Sequence, residues 1–302
     1  MDSVKEPAKV RTTRSIGPLR TISDVEALER IPYDELVPAR SVYDLFVNTA
    51  AAHGGRPALT VLRSPDPQDV GLALNHRQLL GEITRAANLF SSLGVAEGDV
   101  VSIVSKTHEQ IPALIWGAEV AGVASCLNYM LTAEVIAELL RVESAKVLVC
   151  AGPELDPELW SKLRTVIGNV PTITSVLVLG AGADPPHTAV IEATAALARQ
   201  PSDRLIFSHR PTRETRAALF HTGGTTGLPK MVPHTHGNQI HAAWAFAQAF
   251  GITEEDVGLN GLPMFHVGGT STWGLSILGA AGQIVIMTPS GYRDPEVART
   301  FG

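Results

Sequence analysis

The chain has 302 residues, a formal net charge of −6, 45% hydrophobic residues and 18% charged residues. This composition is typical of a globular protein with a large core. The mildly acidic balance argues against nucleic acid as a partner, for which clustered Lys and Arg are expected. Arg210, Arg213 and Arg216 lie close together but are interrupted by Glu214, so we interpret them as a solvated linker face.

Cysteine usage and hydropathy indicate a cytoplasmic protein. Cys126 and Cys150 lie in apolar surroundings, which favours buried reduced thiols over a disulfide framework. Residues 1–30 carry charges throughout and contain no apolar core segment, so no secretory signal is predicted. The most apolar stretch, residues 111–131, contains a proline, a glutamate and an asparagine. It is therefore predicted to be a buried helix followed by a short strand, and not a membrane span.

The first 180 residues predict alternating helices and strands after an N-terminal extension. Residues 1–37 are polar and interrupted by prolines, and we expect no function there. Periodicity and end signals then predict helices over 41–53, 76–93, 109–121, 132–142 and 154–168, and strands over 58–62, 100–104, near 124, 146–150 and 175–179. Residues 66–69, 180–187 and 201–211 read as loops. Short apolar strands between amphipathic helices predict a mostly parallel sheet covered on both faces.

The remaining residues continue the alternation. A strand is predicted over 217–220, and 231–233 is the chain leaving the next loop. Thr235 or Asn238 caps a helix that runs through Phe250 and ends at Gly251. Further strands are predicted over 257–262 and 283–287, with an apolar helix from about Thr272 between them and another helix beginning after 291–295.

The residues 219–230 (LFHTGGTTGLPK) combine hydroxyls, glycines and one lysine, the groups that polyphosphate binding requires. The Walker A loop is excluded, because Leu228 and Pro229 separate the last glycine from Lys230, and Met231 follows the lysine. The glycine spacing also differs from the dinucleotide fingerprint.

This string resembles the phosphate loop of the adenylate-forming enzymes, which include acyl-CoA synthetases, aryl-CoA ligases, luciferases and the adenylation domains of peptide synthetases. An ordinary Gly/Thr hairpin turn is the alternative. Many members place glycine where this chain has Met231, a difference that affects the backbone path but removes no phosphate ligand. Residues 262–269 (LPMFHVGG) look like the next family motif, whose aromatic-His pair borders the carboxylate pocket. Earlier strings follow the family order, so that the resemblance spans about 40–302: Gly94-Val95, Gly98-Asp99-Val100-Val101 and Ala121-Gly122-Val123.

The resemblance implies an α/β fold with two mostly parallel sheets and flanking helices, the incomplete large N-terminal domain of an adenylate-forming enzyme. Residues 38–302 would be a partial AMP-binding (adenylation) domain, and its second sheet would take in residues before about 75. Later family motifs and the C-terminal domain with its catalytic lysine do not occur in these 302 residues. Because a natural domain rarely stops within an element, we expect the N-terminal portion of a longer ligase, inactive by itself.

The activity implied by the resemblance is ATP-dependent activation of a small-molecule carboxylate to an acyl-adenylate, followed by thioester formation with coenzyme A. Mg²⁺ would accompany ATP. The implied catalytic residues are Lys230 and His266, and the implied carboxylate pocket contains Phe265, His266 and Gly268. The residues implied to bind ATP are Thr222, Gly223, Gly224, Thr225, Thr226, Gly227 and Lys230. Trp273 and Leu275 favour a fatty or aromatic acid over an amino acid.

The sequence leaves other interpretations of function and assembly open. The chain is alternatively a non-catalytic nucleotide-binding remnant or one chain of a split enzyme, and a homodimer is an open assembly state. A hydrolase is disfavoured, because no G-x-S-x-G elbow occurs and Ser271 lacks that context. Four histidines near the loop match no zinc signature, so no protein-bound transition metal is predicted: His221, His234, His236 and His241.

Overall fold

The computed structural model of the chain describes residues 16–17, 19–183, 189–223 and 229–301. Its helices are α1 (Ile22–Glu29), α2 (Tyr33–Leu36), α3 (Val42–His53), α4 (His76–Ser92), α5 (Ile111–Ala121), α6 (Ala133–Val142), α7 (Pro157–Ile167), α8 (Ala193–Ala198), α9 (His236–Phe250), α10 (Ser276–Gly279) and α11 (Pro295–Phe301). A π-helical segment (Gly268–Leu275) leads into α10, and a 3₁₀ turn (Gly291–Arg293) precedes α11.

The strands form two sheets. They are β1 (Pro57–Leu62), β2 (Val70–Asn75), β3 (Val100–Val104), β4 (Val123–Cys126), β5 (Ala145–Ala151), β6 (Ser175–Leu179), β7 (Ala189–Glu192), β8 (Arg216–His221), β9 (Met231–Thr235), β10 (Val257–Asn260) and β11 (Gln283–Ile286). The seven-stranded sheet has the order β7-β6-β5-β3-β4-β8-β9, and the four-stranded sheet has the order β10-β11-β1-β2. In each sheet one edge strand, β9 or β2, is antiparallel and the other pairings are parallel. The predicted fold class is thereby confirmed.

The second sheet joins the two ends of the described chain. Strand β1 pairs in parallel with β11, and Leu59 lies opposite Ile284. The expectation that this sheet takes in residues before about 75 is therefore confirmed. Helices α1 and α2 in the N-terminal extension, the short helix α8 and the edge strands β2 and β7 were not predicted, because their residues are mostly half-buried or exposed and give no clear apolar run.

The core lies between the sheets and the helices that cover them. All eleven residues of α5 are buried, as predicted for this stretch. Helix α4 approaches α5 so closely that a Cβ on Gly117 would lie 2.4 Å from the Cβ of Ala86. Cys126 and Cys150 are buried free thiols, as expected. Within the described ranges, no helix is long and apolar enough to cross a membrane.

Arg213 corrects one prediction. Its guanidinium is mostly buried, donates to the backbone oxygens of Val37 and Ala39, and forms an ion pair with Asp34. It also lies 4.8 Å from the ring centre of Tyr33. The interpretation as a solvated linker face is wrong for Arg213, because its side chain binds residues in and directly after α2. Arg210 and Arg216 are exposed, as that interpretation required.

Candidate active site

The phosphate-loop string begins at the carboxyl end of β8 and ends where β9 begins. Its neck is closed by two hydrogen bonds: the Thr222 amide donates to the Lys230 carbonyl oxygen at 2.9 Å, and the Lys230 amide donates to Thr222 Oγ1 at 3.0 Å. Met231 then pairs opposite His221 as the first residue of β9. Because Met231 is part of a strand, the backbone after Lys230 runs antiparallel to β8 and pairs with it.

Three of the predicted ATP-binding residues are described, and all three are exposed: Thr222, Gly223 and Lys230. The others lie outside the described residues: Gly224, Thr225, Thr226 and Gly227. Within the described part of the chain, the Lys230 ammonium has no ion-pair or hydrogen-bond partner. A hydroxyl, a glycine and an unpaired ammonium at the carboxyl end of a parallel strand suit an anionic ligand, since ligands of open α/β sheets bind at that edge.

The second motif is held by a buried asparagine that the sequence reading missed. Asn260, the last residue of β10, donates from Nδ2 to the Gly269 carbonyl oxygen at 3.1 Å and accepts from the Leu262 amide at 3.2 Å. A Cβ on Gly269 would lie 2.6 Å from the Pro263 carbonyl oxygen, so only glycine fits there. A polar amide residue within a predicted apolar strand is the only sequence signal for Asn260.

His266 is exposed, and its ring orientation is set by its own turn. The Gly268 amide donates to His266 Nδ1 at 3.0 Å. A neutral ring that accepts at Nδ1 carries its proton on Nε2, which is then a donor for a ligand. A Cβ on Gly268 would lie 3.0 Å from the same Nδ1, so this glycine leaves room for the ring.

The two motifs meet through aromatic contacts. Phe265 stacks on His221 with ring centres 6.2 Å apart and planes 17° apart. Tyr129, in the turn after β4, contacts Phe265 edge-on at 5.7 Å. Since His221 precedes Thr222 and Phe265 precedes His266, the structure brings the neck of the phosphate loop beside the predicted carboxylate motif.

The four histidines near the loop do not share one site. His234 packs on Phe220, His241 lies between aromatic side chains of α2 and α9, and His236 is buried against α5. In the ranges that the structure covers, no group of three or more His, Cys, Asp or Glu side chains could hold a metal ion.

A second polar cluster lies in the core, between α5 and α9. Gln239 donates from Nε2 to Glu119 Oε1 at 2.9 Å, and burial raises the pKa of Glu119 to about 8. His236 accepts from the Val42 amide at Nδ1 and donates from Nε2 to the Glu119 carbonyl oxygen at 3.1 Å. Burial lowers the pKa of His236 to about 4. At neutral pH both titratable groups are therefore uncharged, and we call this set the buried polar cluster.

The two-sheet fold is known from solved structures. The inhibitor-bound N-terminal domain of FACL13 from Mycobacterium tuberculosis matches with a TM-score of 0.67 and 23% identity, covering 83% of this chain and 58% of that one. The anthranilate CoA ligase AuaEII, solved with anthranoyl-AMP, matches with a TM-score of 0.70 and 20% identity, covering 85% of this chain and 46% of that one. These likenesses show the fold.

The family follows from the sequence profile of AMP-binding enzymes, which matches residues 46–301, and the chain belongs to this family. The marinolic acid–CoA ligase of Pseudoalteromonas sp. is 28% identical over 288 residues, covering 94% of this chain and 43% of the relative. The long-chain fatty-acid–CoA ligase FadD13 of Mycobacterium tuberculosis is 28% identical over 204 residues, covering 66% and 37%. The chain thus spans less than half the length of these curated relatives, and the predicted family is confirmed.

Proposed function

We propose that the protein containing this chain activates a carboxylic acid with ATP to an acyl-adenylate and then transfers the acyl group to coenzyme A. The observation that carries the proposal is the contact between Phe265 and His221, which sets the phosphate-loop neck beside the carboxylate motif. A reaction between ATP and a carboxylate requires these two binding functions side by side.

The first half-reaction joins two anions. A carboxylate oxygen forms a bond to the α-phosphorus of ATP, the bond from that phosphorus to the bridging oxygen breaks, and pyrophosphate leaves with the electron pair. Repulsion between the reactants and charge on the leaving group are the main barriers, and fixed donors and cations lower them. When Mg²⁺ is bound with ATP, it supplies part of that charge neutralisation.

Residues of the phosphate loop would hold the β- and γ-phosphates. The exposed Lys230 ammonium is free to bind phosphate oxygens, and it acts here as a positioning charge and not as a base. The closed neck between Thr222 and Lys230 fixes where the loop leaves the sheet. In the proposal, the remaining loop residues supply hydroxyl and backbone N–H donors: Gly223, Gly224, Thr225, Thr226 and Gly227.

The carboxylate side would be handled by the second motif. His266 Nε2 donates a hydrogen bond to one carboxylate oxygen and turns the other toward phosphorus. Phe265 forms an apolar wall behind it. Gly268 keeps the space that the His266 ring occupies, as its 3.0 Å approach to Nδ1 requires.

A fatty or aromatic acid is the proposed substrate class. Trp273 and Leu275 follow the motif in the π-helical segment, and Trp273 is anchored by a hydrogen bond from Nε1 to the Leu259 carbonyl oxygen at 3.1 Å. Relatives named as CoA ligases support coenzyme A as the acceptor. The buried thiols of Cys126 and Cys150 support a cytoplasmic location for the proposed enzyme.

Product analysis tests this proposal. The protein, expressed over the complete reading frame that contains these residues, is incubated with ATP, Mg²⁺ and panels of fatty, aromatic and amino acids, with and without coenzyme A. Mass spectrometry is expected to find acyl-adenylates without coenzyme A and acyl-CoA thioesters with it, from fatty or aromatic acids. Nucleotide binding without any acid-dependent product would overturn the proposed enzymatic activity and favour a non-catalytic nucleotide-binding protein.

A further inference from the structure

We propose that His221 is a positioning residue that couples the phosphate loop to the carboxylate motif, an inference that rests on the proposed function. His221 is the last residue of β8 and directly precedes the loop. Its ring touches three separate segments of the chain: the loop neck, the turn after β4 and the carboxylate motif.

Two of these contacts are hydrogen bonds that use both ring nitrogens. The Asn128 amide donates to His221 Nε2 at 3.1 Å, so Nε2 is an acceptor and the proton of the neutral ring lies on Nδ1. Nδ1 then donates to the Thr222 carbonyl oxygen at 3.1 Å. The ring thereby ties the first residue of the phosphate loop to the turn after β4.

That turn is itself fixed. Lys162, on α7, donates from Nζ to the carbonyl oxygens of Tyr129 and Leu131 at 2.8 and 3.0 Å. Asn128 Oδ1 accepts from the Met130 amide at 3.0 Å. His221 therefore connects the loop to a turn that is held from two sides.

The third contact is the stack with Phe265, whose planes lie 17° apart. Because Tyr129 also contacts the Phe265 ring edge-on, Phe265 is held by both the turn and the histidine. Phe265 in turn precedes His266. A shift of the His221 ring would thus move the loop neck and the carboxylate motif together.

The geometry separates the two roles of the ring. A phenylalanine at this position retains the stack but offers no acceptor to the Asn128 amide. A glutamine retains an acceptor near the position of Nε2 but has no ring to stack. Each substitution should therefore loosen one side of the site and spare the other.

The test measures acid-dependent ATP–pyrophosphate exchange in the complete protein and in His221→Ala, His221→Phe and His221→Gln. We expect His221→Ala to raise the KM for ATP and the KM for the acid by about 3- to 10-fold each, as for the loss of one hydrogen bond or stack. His221→Phe should raise mainly the KM for ATP, and His221→Gln mainly the KM for the acid. His234→Ala, which removes a half-buried histidine from the neighbouring strand, should leave both values unchanged.

A purely structural defect would lower kcat by reducing the amount of folded enzyme and would leave both KM values unchanged in every variant, which would overturn the inference. Absence of exchange in the unsubstituted protein would instead count against the proposed function. Amide hydrogen exchange then tests the coupling without catalysis. His221→Ala should speed exchange at 128–131 and at 263–270, whereas unchanged protection in both segments would overturn the role of His221 whatever the activity.

Discussion

The buried polar cluster and the carboxyl-edge site contain similar side chains in opposite environments. Glu119, Gln239 and His236 are fully buried and bond to one another or to the backbone. Lys230 and His266 are exposed, and each presents a donor that points to no described protein group. The carboxyl and imidazole of the cluster resemble catalytic groups, yet the hydrogen bonds that they form lie within the core, and Glu119 Oε2 has no hydrogen-bond partner among the described residues.

Residue type alone therefore does not identify a functional site. Burial raises the pKa of Glu119 to about 8 and lowers that of His236 to about 4, so both groups are neutral and act through packing and hydrogen bonds. The side-chain donors of Lys230, which directly precedes β9, and of His266, in the turn after β10, bond to no described protein group and can bind a ligand. Substitutions in the cluster should change stability, and substitutions at the edge should change catalysis.

The largest expected effect is on stability. Glu119→Ala leaves the buried Gln239 amide without its partner and opens a cavity, so the free energy of unfolding should fall by roughly 2–4 kcal/mol. Urea denaturation measures this change. Glu119→Gln, which keeps the volume and a neutral group, is the matched control. If the free energy of unfolding fell by less than about 0.5 kcal/mol in the alanine variant, the cluster would not stabilise the fold.

The next effect is on adenylation. Lys230→Ala removes a charge-assisted contact worth about 1.5 to 3 kcal/mol, so single-turnover formation of the acyl-adenylate should slow by about 10- to 150-fold. The thermal midpoint should not change, because the side chain is exposed. Lys230→Arg, which keeps the charge, should retain more activity. An undiminished rate in the alanine variant would contradict the assignment of the loop.

A smaller effect is expected at the second motif. His266→Ala removes one donor to the carboxylate and should raise the KM for the acid by about 10-fold with little change in the KM for ATP. Steady-state kinetics with each substrate varied in turn measures both values. A change confined to ATP would show that His266 does not serve the acid.

The last expected effect is a pH dependence of stability. The folded pKa of Glu119, about 8, lies above its ordinary value of 4.5, so between these pH values the folded state keeps a proton that the unfolded state loses. The free energy of unfolding contributed by this group therefore falls as pH rises through that window, by on the order of 1 kcal/mol per pH unit at most, and is constant above it.

Denaturation of the unsubstituted protein and Glu119→Gln across this window measures the contribution as a difference. Burial raises the pKa of Glu143 to about 7, although hydrogen bonds from Ser102 and Ser125 lower it. The contribution of Glu143 to the free energy of unfolding cancels in the difference, because both proteins contain this residue. The variant should gain stability relative to the unsubstituted protein from pH 5 to pH 8. If the free energies of unfolding of the two proteins changed in parallel with pH, Glu119 would not be held neutral in the folded state.

Much of the fold follows from local sequence. Strands β3 and β6 occur at the predicted residues because each is a mostly apolar run, and Thr235 caps α9 because its hydroxyl accepts from the Asn238 amide at 3.1 Å. The edge strands β2 and β7 were missed because their partners, and not their own residues, specify them. Strand β2, for example, is extended by pairing with β1.

The site was predictable in its motifs and not in its contacts. The loop and the residues around His266 have recognisable spacing, whereas Asn260 acts through a backbone group nine residues later in the chain. The roles of Arg213 and Glu119 depend on segments 179 and 120 residues away, respectively. No local pattern contains such pairings, since they arise only when the helices and sheets pack.

ATP–pyrophosphate exchange by the complete protein, measured with and without fatty and aromatic acids, tests the proposed adenylating site. We expect exchange that requires the acid, needs no coenzyme A, and falls strongly in Lys230→Ala. Exchange that is absent with every acid, or that proceeds equally well in Lys230→Ala, would contradict the claim that the β8–β9 hairpin and the His266 motif form one adenylating site.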